Sequence, residues 1–523
     1  MANATHPITL AGVLDPQTSQ HLPTAAAGLV FVVFALIVQR LLFADPLANV
    51  PYTGEGKRSE RRKQFMQGKA RQLYIDGYRK FKDSVFRVTT SLKKDNICVP
   101  ATFLPELKKQ PDEVISSKEA IGEIMFTKYT LLRNSDPYVH HAVKTTLTPA
   151  LPRLNASISD EVAETMRLEL PQTTKWTEVN IHDKLLRIVA MVSGRVFIGP
   201  ELCRNEDYID ASIHYTTDLM RAVVAIGKIP AFLRPFLASR LPETRKLYKR
   251  MDAADAVFRP IITARRESAT KENYQPPDDL LQWIINAQTK IGPISDRELA
   301  MCQLTASFAA IHTTTMTATN AMYWLAAKPE LAPLLREDVQ QALLESGGIF
   351  TSGAMQNMKK LDSFLKECMR YCPLIVSGFM RKVLKDFKLP NGQTIPAGVV
   401  MDVSAVGINN DPEIFTDPEV FDPLRFYKLR EGKAHAESGT KAAELVTQAQ
   451  FVSLGTNHLT FGYGRHACPG RFFAVNEIKM IMANILHNYE IRLPDGVTER
   501  YPSVLAGSMS NPDPNKTIMI RKI

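Results

Sequence analysis

The chain has 523 residues, 45% of them hydrophobic, and a formal net charge of +10. That apolar fraction is ample for a sizeable core, and the lack of a Gly/Ser-rich linker, low-complexity run or internal repeat argues for one large, mostly helical domain. The positive charge suits an anionic membrane or an acidic partner, but the basic residues are dispersed and no nucleic-acid motif accompanies them, so nucleic acid is excluded first.

Residues 24–43 are the first informative stretch. Residues 25–38 carry no polar side chain, and Leu41, Leu42 and Phe43 extend the run past Gln39 and Arg40. At 1.5 Å per residue the segment reaches about 30 Å, enough to cross a bilayer. A cleaved signal peptide is the rival reading; the apolar run is long for one, and the preceding tail lacks lysine and arginine. Lys57, Arg58, Arg61, Arg62 and Lys63 follow the segment. The positive-inside rule therefore places a tail of residues 1–23 in the lumen and residues 44–523 in the cytosol. Asn3-Ala4-Thr5 is a formal glycosylation sequon on that tail. Residues 45–51 read as a hinge. Residues 61–81 alternate basic and apolar positions, which predicts a surface helix, either near lipid headgroups or simply solvated.

Residues 98–130 are irregular, with Pro100, Pro105 and Pro111, and a helical run falls near residues 119–127. Asp136 opens the next helix, on which His140 and Lys144 are four apart and face one side. Residues 226–242 mix apolar and basic side chains with Pro230 and Pro235, a composition open to membrane contact or to core packing.

Ser295-Asp296-Arg297-Glu298 is a capping box, and no proline interrupts the chain from Asp296 until Pro329. The spacing predicts a helix of about 32 residues, about 48 Å long. Residues 304–322 contain no Asp, Glu, Lys or Arg, so the middle of this helix should be buried on most sides. Its threonines and His312 make it too polar for a second membrane span. Downstream, Glu367 and Arg370 are three apart on one helix face, close enough to pair. Asn391-Gly392 and Ala397-Gly398 mark turns among short apolar runs, which reads as a small sheet. The segment Phe421-Asp422-Pro423-Leu424-Arg425-Phe426 comes next.

Six cysteines stand at no framework spacing, which points to a reducing compartment. One of them, Cys468, sits in Phe461-Gly462-Tyr463-Gly464-Arg465-His466-Ala467-Cys468-Pro469-Gly470, a glycine-punctuated loop that runs into a helical pattern from Arg471 to about Asn488. Gly464 permits a turn that a side chain would resist, and Gly470 lets the chain pass close to something flat. Cys468 lies just before the helix start, where free N–H groups and the helix dipole favour a thiolate. Such a thiolate serves as a nucleophile or as a single axial metal ligand; no second ligand stands at zinc spacing.

This decapeptide resembles the haem-binding loop of the cytochrome P450 family, F-x-x-G-x-R/H-x-C-x-G. With the threonine helix, the ExxR pair and the Arg425 segment it makes four motifs in family order across residues 45–523. The resemblance implies the cytochrome P450 fold, mainly α with small β-sheets, behind one N-terminal transmembrane helix. It implies haem b (iron protoporphyrin IX) ligated by Cys468, with Phe461, Gly464, His466 and Gly470 in the binding loop. His466 stands where many members carry an arginine near a haem propionate. Arg381 occupies the place of another propionate-binding arginine. His140 and Lys144 hold positions where the family usually has tryptophan and arginine, a partial match. Glu367, Arg370 and Arg425 are implied to form the family's buried triad, with Leu424 replacing a common glutamate. Within Ala309-Ala310-Ile311-His312-Thr313-Thr314, the small residues would let a ligand approach, and Thr313 would supply a hydroxyl to a proton relay toward dioxygen. His312 replaces the usual acid; it either shuttles protons or hydrogen-bonds in the core. Phe308, Ile311, Ile375, Val376 and Phe379 are implied to line the substrate pocket, as are residues 505–509, ordinary sheet packing being the alternative.

In activity the resemblance implies a single-pass, haem-thiolate monooxygenase of the endoplasmic reticulum membrane, with its catalytic domain in the cytosol. Electrons must come from outside, because the chain has no flavin or dinucleotide motif. NADPH-cytochrome P450 reductase is the implied partner, with cytochrome b5 as a further candidate. Residues 307–314 are similar to fungal members that oxidise diterpenes and indole-diterpenes, so a terpenoid or meroterpenoid substrate is expected. Steroid, polyketide, alkaloid and fatty-acid substrates stay open, as do a haem-thiolate isomerase or dehydratase that uses no O2 and a haem sensor without catalysis.

Overall fold

The computed structural model describes residues 27–34, 47–92, 94–436 and 447–523. The expected luminal tail with its Asn3 sequon, and most of the apolar segment, lie outside these residues. Residues 27–34 form a helix with exposed side chains. Among the described residues, no helix is long and apolar enough to cross a membrane. The larger body runs from Tyr52 to Ile523.

That body is mainly helical. The stretch expected as one surface helix is two, α1 (Arg58–Gln64) and α2 (Ala70–Lys80). They are parted at Gln67 and at Gly68, whose φ of 90° and close approach to Leu505 suit glycine alone. Helix α1 has no buried residue, whereas α2 buries Leu73, Tyr74, Ile75 and Tyr78 along one stripe.

Asp136 caps α3 (Pro137–Ala142) by accepting the N–H groups of Tyr138 and Val139 at 2.9 and 3.0 Å. A π-turn, Val143–Leu147, then leads into α4 (Thr148–Glu169). The helix of His140 therefore does not continue regularly to Lys144, because the wider turn shifts the register between them. Next come α5 (Ile181–Phe197), α6 (Glu206–Lys228) and α7 (Pro242–Ser268). Between the last two, Phe232 and Phe236 are exposed, so part of residues 226–242 is surface rather than core.

Helix α8 (Asp296–Ala327) has the 32 residues that its capping box and Pro329 predict. Ser295 Oγ accepts the Glu298 N–H at 3.3 Å, and Glu298 Oε2 accepts the Ser295 N–H at 3.1 Å. Helices α5, α6 and α7 pack on it, as do α9 (Lys359–Tyr371), which carries the ExxR pair, and, beyond α10 (Arg425–Ala436), α11 (Arg471–Asn488). Its threonines return their hydroxyls to carbonyls four residues back: Thr313 to Ala309, Thr315 to Ile311, Thr317 to Thr313 and Thr319 to Thr315. The charge-free middle of the helix thus satisfies these four hydroxyls internally, at some cost in regularity.

The sheets are small. Strands β1 (Phe86–Val88), β2 (Asn96–Cys98), β3 (Ile115–Ser116), β5 (Ser377–Val383) and β8 (Val400–Ser404) form one of five strands, ordered β1-β2-β8-β5-β3. A second joins β4 (Thr177–Val179), β12 (Ile518–Lys522) and β9 (Tyr489–Arg492), and two hairpins pair β6 (Phe387–Lys388) with β7 (Thr394–Ile395) and β10 (Val504–Ala506) with β11 (Met509–Asn511). Gly392 and Gly398, at φ of 83° and 84°, make turns where the sequence predicts them. In β5 the register with β8 slips between Gly378 and Arg381, a bulge of the kind that re-aims side chains beside active sites.

Candidate active site

The cysteine loop is held by its own backbone. Cys468 N–H donates to Phe461 O at 2.8 Å, Gly462 N–H to Leu459 O at 2.8 Å and Ala467 N–H to Gly464 O at 3.1 Å. Gly462 and Gly464 take φ of 76° and 73°, and a Cβ on Gly464 would stand 2.9 Å from Lys108 Cβ. Around Gly470 the opposite holds: nothing lies within 4 Å of where a Cβ would be. Of the six cysteines, five are buried and Cys468 is partly exposed. Burial still pushes its thiol up, and the N–H groups of Gly470 and Arg471, with the Arg471 guanidinium, pull it down without overcoming that rise. The helix start alone therefore does not offset that burial; a coordinated cation would add the charge that favours the thiolate.

On α8, Ala309 and Thr313 are the exposed residues of an otherwise buried or half-buried stretch that runs from Leu299 to Ala327. They are one turn apart and face the same open space. Thr313 Oγ donates to Ala309 O at 2.7 Å, so its lone pairs stay available. One turn further on, Thr317 and Asn320 border a small cavity shared with Cys368, Cys372 and Thr460, the residue before Phe461. The threonine helix and the entry to the cysteine loop thus meet at this small cavity. His312 turns away from Ala309 and Thr313: its Nε2 lies 2.9 Å from Ile213 O on α6.

Arg381 is buried, on the same face of β5 as Ser377, Phe379 and Val383. Its hydrogen bond goes to Met380 O at 2.8 Å, and its guanidinium lies 4.0 Å from the Phe379 ring centroid; among the described residues no carboxylate stands within ion-pair distance of it. Burial lowers its pKa to about 10, which marks a cation short of an anion. His466 sits differently from expectation. Its Nε2 is 2.8 Å from Asp112 Oδ1, which also accepts Arg465 Nη2 at 2.7 Å. Asp112, unforeseen in the sequence, spends its charge on these two. His140 is depressed by burial and then by the charges of Lys144 and His466, which places the three within electrostatic reach of one another.

Glu367, Arg370 and Arg425 meet. Glu367 takes Arg370 Nε and Nη2, each at 2.8 Å, and Arg425 Nε at 3.2 Å. The remaining guanidinium hydrogens go to carbonyls of Asn409, Pro418 and Val420 and of Thr416 and Asp417. This knot fastens α9 to the segment leading into α10, ahead of the cysteine loop in the chain.

The pocket-lining expectations divide. Phe308 and Ile375 are accessible in part, and Ile375 bridges to Met509. Ile311 and Val376 need correction: both are sealed in the apolar core. Ile311 is two residues from Ala309 and Thr313, about 200° round the helix, and Val376 packs with Tyr74 and Val406. Phe379, at φ of 51°, is buried under the Arg381 guanidinium rather than open to the pocket.

A flat, acidic, iron-bearing group suits these residues. It would meet an accessible sulfur on one side and small or hydroxylated side chains on the other. Gly470 offers open room beside it, and Arg381 an unneutralised buried charge. A partly exposed cysteine on a glycine loop, with a hydroxyl on the helix packed against α11, is the residue set of haem-thiolate enzymes, in which the sulfur would hold the iron. The chain belongs to the cytochrome P450 family, whose profile matches residues 64–519. It is similar to the cytochrome P450 monooxygenase ATR3 of Stachybotrys chlorohalonatus, at 40% identity over 82% of this chain and 89% of that one. The monooxygenase braC of Annulohypoxylon truncatum is 31% identical over 96% of this chain and 97% of that one. In fold it is similar to the retinoic acid-bound cyanobacterial CYP120A1, with a TM-score of 0.62 and 19% identity, covering 91% of this chain and 99% of that one. The protein is a cytochrome P450 monooxygenase with a cysteine-ligated haem, and it depends on O2 and a redox partner.

Proposed function

We propose that this monooxygenase hydroxylates unactivated C–H bonds of an apolar secondary metabolite, a terpenoid or meroterpenoid. In this reading residues 24–43 anchor it in the endoplasmic reticulum membrane, with residues 1–23 luminal and 44–523 cytosolic. NADPH-cytochrome P450 reductase supplies the electrons, and cytochrome b5 assists.

The observation that carries the reading is the exposure of Ala309 and Thr313 in the middle of α8, where their neighbours are buried or half-buried, in a body whose one cysteine that is not buried is Cys468. Haem, when bound, supplies the activation of dioxygen for C–H insertion. Cys468 would hold its iron, and Arg381, backed by His140, Lys144 and His466, its acidic edge. The chain's own work is to position substrate and move protons. Thr313, with its hydrogen given to Ala309 O, accepts from a pocket water and passes a proton on by hydroxyl rotation. Ala309 leaves room for the reacting molecule, while Phe308 and Ile375 offer it apolar contact and limit stray water. Membrane residence is supported by the exposed Phe232 and Phe236 and the solvated basic helix α1.

The test is to express the full chain in membranes with a reductase and record the reduced, carbon monoxide-bound spectrum, then screen terpenoids for a spin-state shift. A thiolate-type band with terpenoid shifts and NADPH-dependent product supports the proposal. Shifts confined to other lipophilic classes would move the substrate assignment. Release of the chain by alkaline carbonate would remove the anchor.

A further inference from the structure

His312 stands beside the relay threonine, and its surroundings decide between a shuttle and a tether. The Ile213 carbonyl, 2.9 Å from Nε2, only accepts hydrogen bonds, so Nε2 carries the hydrogen and the neutral ring keeps its lone pair on Nδ1. A shuttle must become imidazolium and then hand a proton on. Here the N–H is held by an oxygen that cannot carry the proton away. Burial and the neighbouring His182 and His214 also disfavour a charged ring. Those two neighbours are engaged elsewhere, His214 with Asp210 and His182 with Asp183.

The same contact joins α6 to α8 at the turn that needs outside support. Thr313 and Thr317 both return hydroxyls to the α8 ladder there, at Ala309 O and Thr313 O, which loosens a helix locally. Ala309 and Ala310 add little packing on that face. A second polar contact, Ser307 Oγ to Ser212 Oγ at 3.5 Å, crosses between the same helices. Helix α6 ends at Lys228 and leads into the exposed Phe232 and Phe236.

We infer that His312 is a positioning residue, a hydrogen-bonded tether through which α6 sets the orientation of the Thr313 turn. Thr313 presents its lone pairs to the pocket while α6 is seated, and loses that orientation when α6 lifts. The inference rests on the reading of Thr313 as the relay hydroxyl.

Glutamine separates tether from shuttle, because its amide N–H can reach Ile213 O but cannot carry a proton. His312→Ala, His312→Gln and Thr313→Ala are compared in the haem-loaded, membrane-bound full chain with reductase. The readouts are product formed per NADPH and, independently, amide hydrogen exchange across residues 206–228 and 309–317. For His312→Ala the expectation is an about fivefold loss of product per NADPH, the scale of one hydrogen bond, with faster exchange in both segments. His312→Gln should recover most of both. Glutamine as uncoupled as alanine, with exchange unchanged, would overturn the tether and restore the shuttle. His312→Ala matching the unaltered enzyme while Thr313→Ala uncouples would overturn the tether and leave the relay. Coupling untouched by Thr313→Ala would overturn the relay itself.

Discussion

Glu367 accepts Arg425 Nε at 3.2 Å across 58 residues of chain, while the same carboxylate clasps Arg370 through two bonds of 2.8 Å. One fully buried anion therefore holds two cations, and the arrangement is stable only as a whole, since removing one member strands the others without solvent. Replacing Glu367 with Gln or Ala should cost about 3–5 kcal/mol. Denaturant unfolding of the haem-loaded and haem-free chain measures it, and a loss below about 1 kcal/mol would show that the carbonyl ring around Arg370 and Arg425 suffices.

Cys468→Ala removes the sulfur but none of the backbone bonds that shape the loop, because Cys468 contributes its N–H to Phe461 O. The far-ultraviolet circular dichroism should match the unaltered chain, while the thiolate-type carbon monoxide band disappears. Retention of that band would place the ligand elsewhere.

Arg381 should respond with opposite signs in two states. Buried without an ion-pair partner among the described residues, it costs the haem-free chain desolvation energy, so Arg381→Leu should leave that form equally stable or more so. The haem-loaded form loses a charge-assisted contact, and haem release should accelerate about tenfold. Transfer of haem to an acceptor protein reads the rate; equal rates would put the acidic edge of the haem on other residues.

Glu477 on α11 is sealed in the core, where Ser193 Oγ donates to it at 2.8 Å. Burial outweighs that bond and lifts its pKa to about 8. The folded state thus keeps a proton that the unfolded chain releases near 4.5. Stability contributed by this group is full below the lower value and is lost as pH rises toward about 8, after which it is flat. Glu477→Gln should remove that slope and stabilise the protein most at the alkaline end. Denaturation midpoints between pH 5 and 8 that fall equally in both proteins would exclude Glu477 as the source.

Much of the fold was legible in the chain because local rules and family motifs pointed the same way. The capping box at Ser295 and Glu298, a charge-free interior and the next proline give the start of α8 and its length of about 32 residues. The carboxylate and two guanidiniums of the triad could be expected together only through the resemblance, since an ExxR pair alone is common on solvated helices. The features that escaped the sequence were decided across long separations. Asp112 lies in an irregular, proline-bounded stretch and reaches His466 over 354 residues, so no local spacing could announce it. Ile311 and Val376 carry the apolar character of pocket walls and of cores alike; only the packing of α5, α6 and the sheet decides which they are. The bulge beside Arg381 lies in the pairing of β5 with β8, and the break at Gly68 lies where the chain passes close to Leu505. Both depend on partners far along the chain.

Five buried thiols and one partly exposed one also make the protein a reporter of its own loading. In the haem-free chain Cys468 should alkylate first, and haem held on its sulfur should hide it. Mass spectrometry of labelled against unlabelled Cys468 would then count empty molecules in a mixed preparation, without any spectrum and without any substrate.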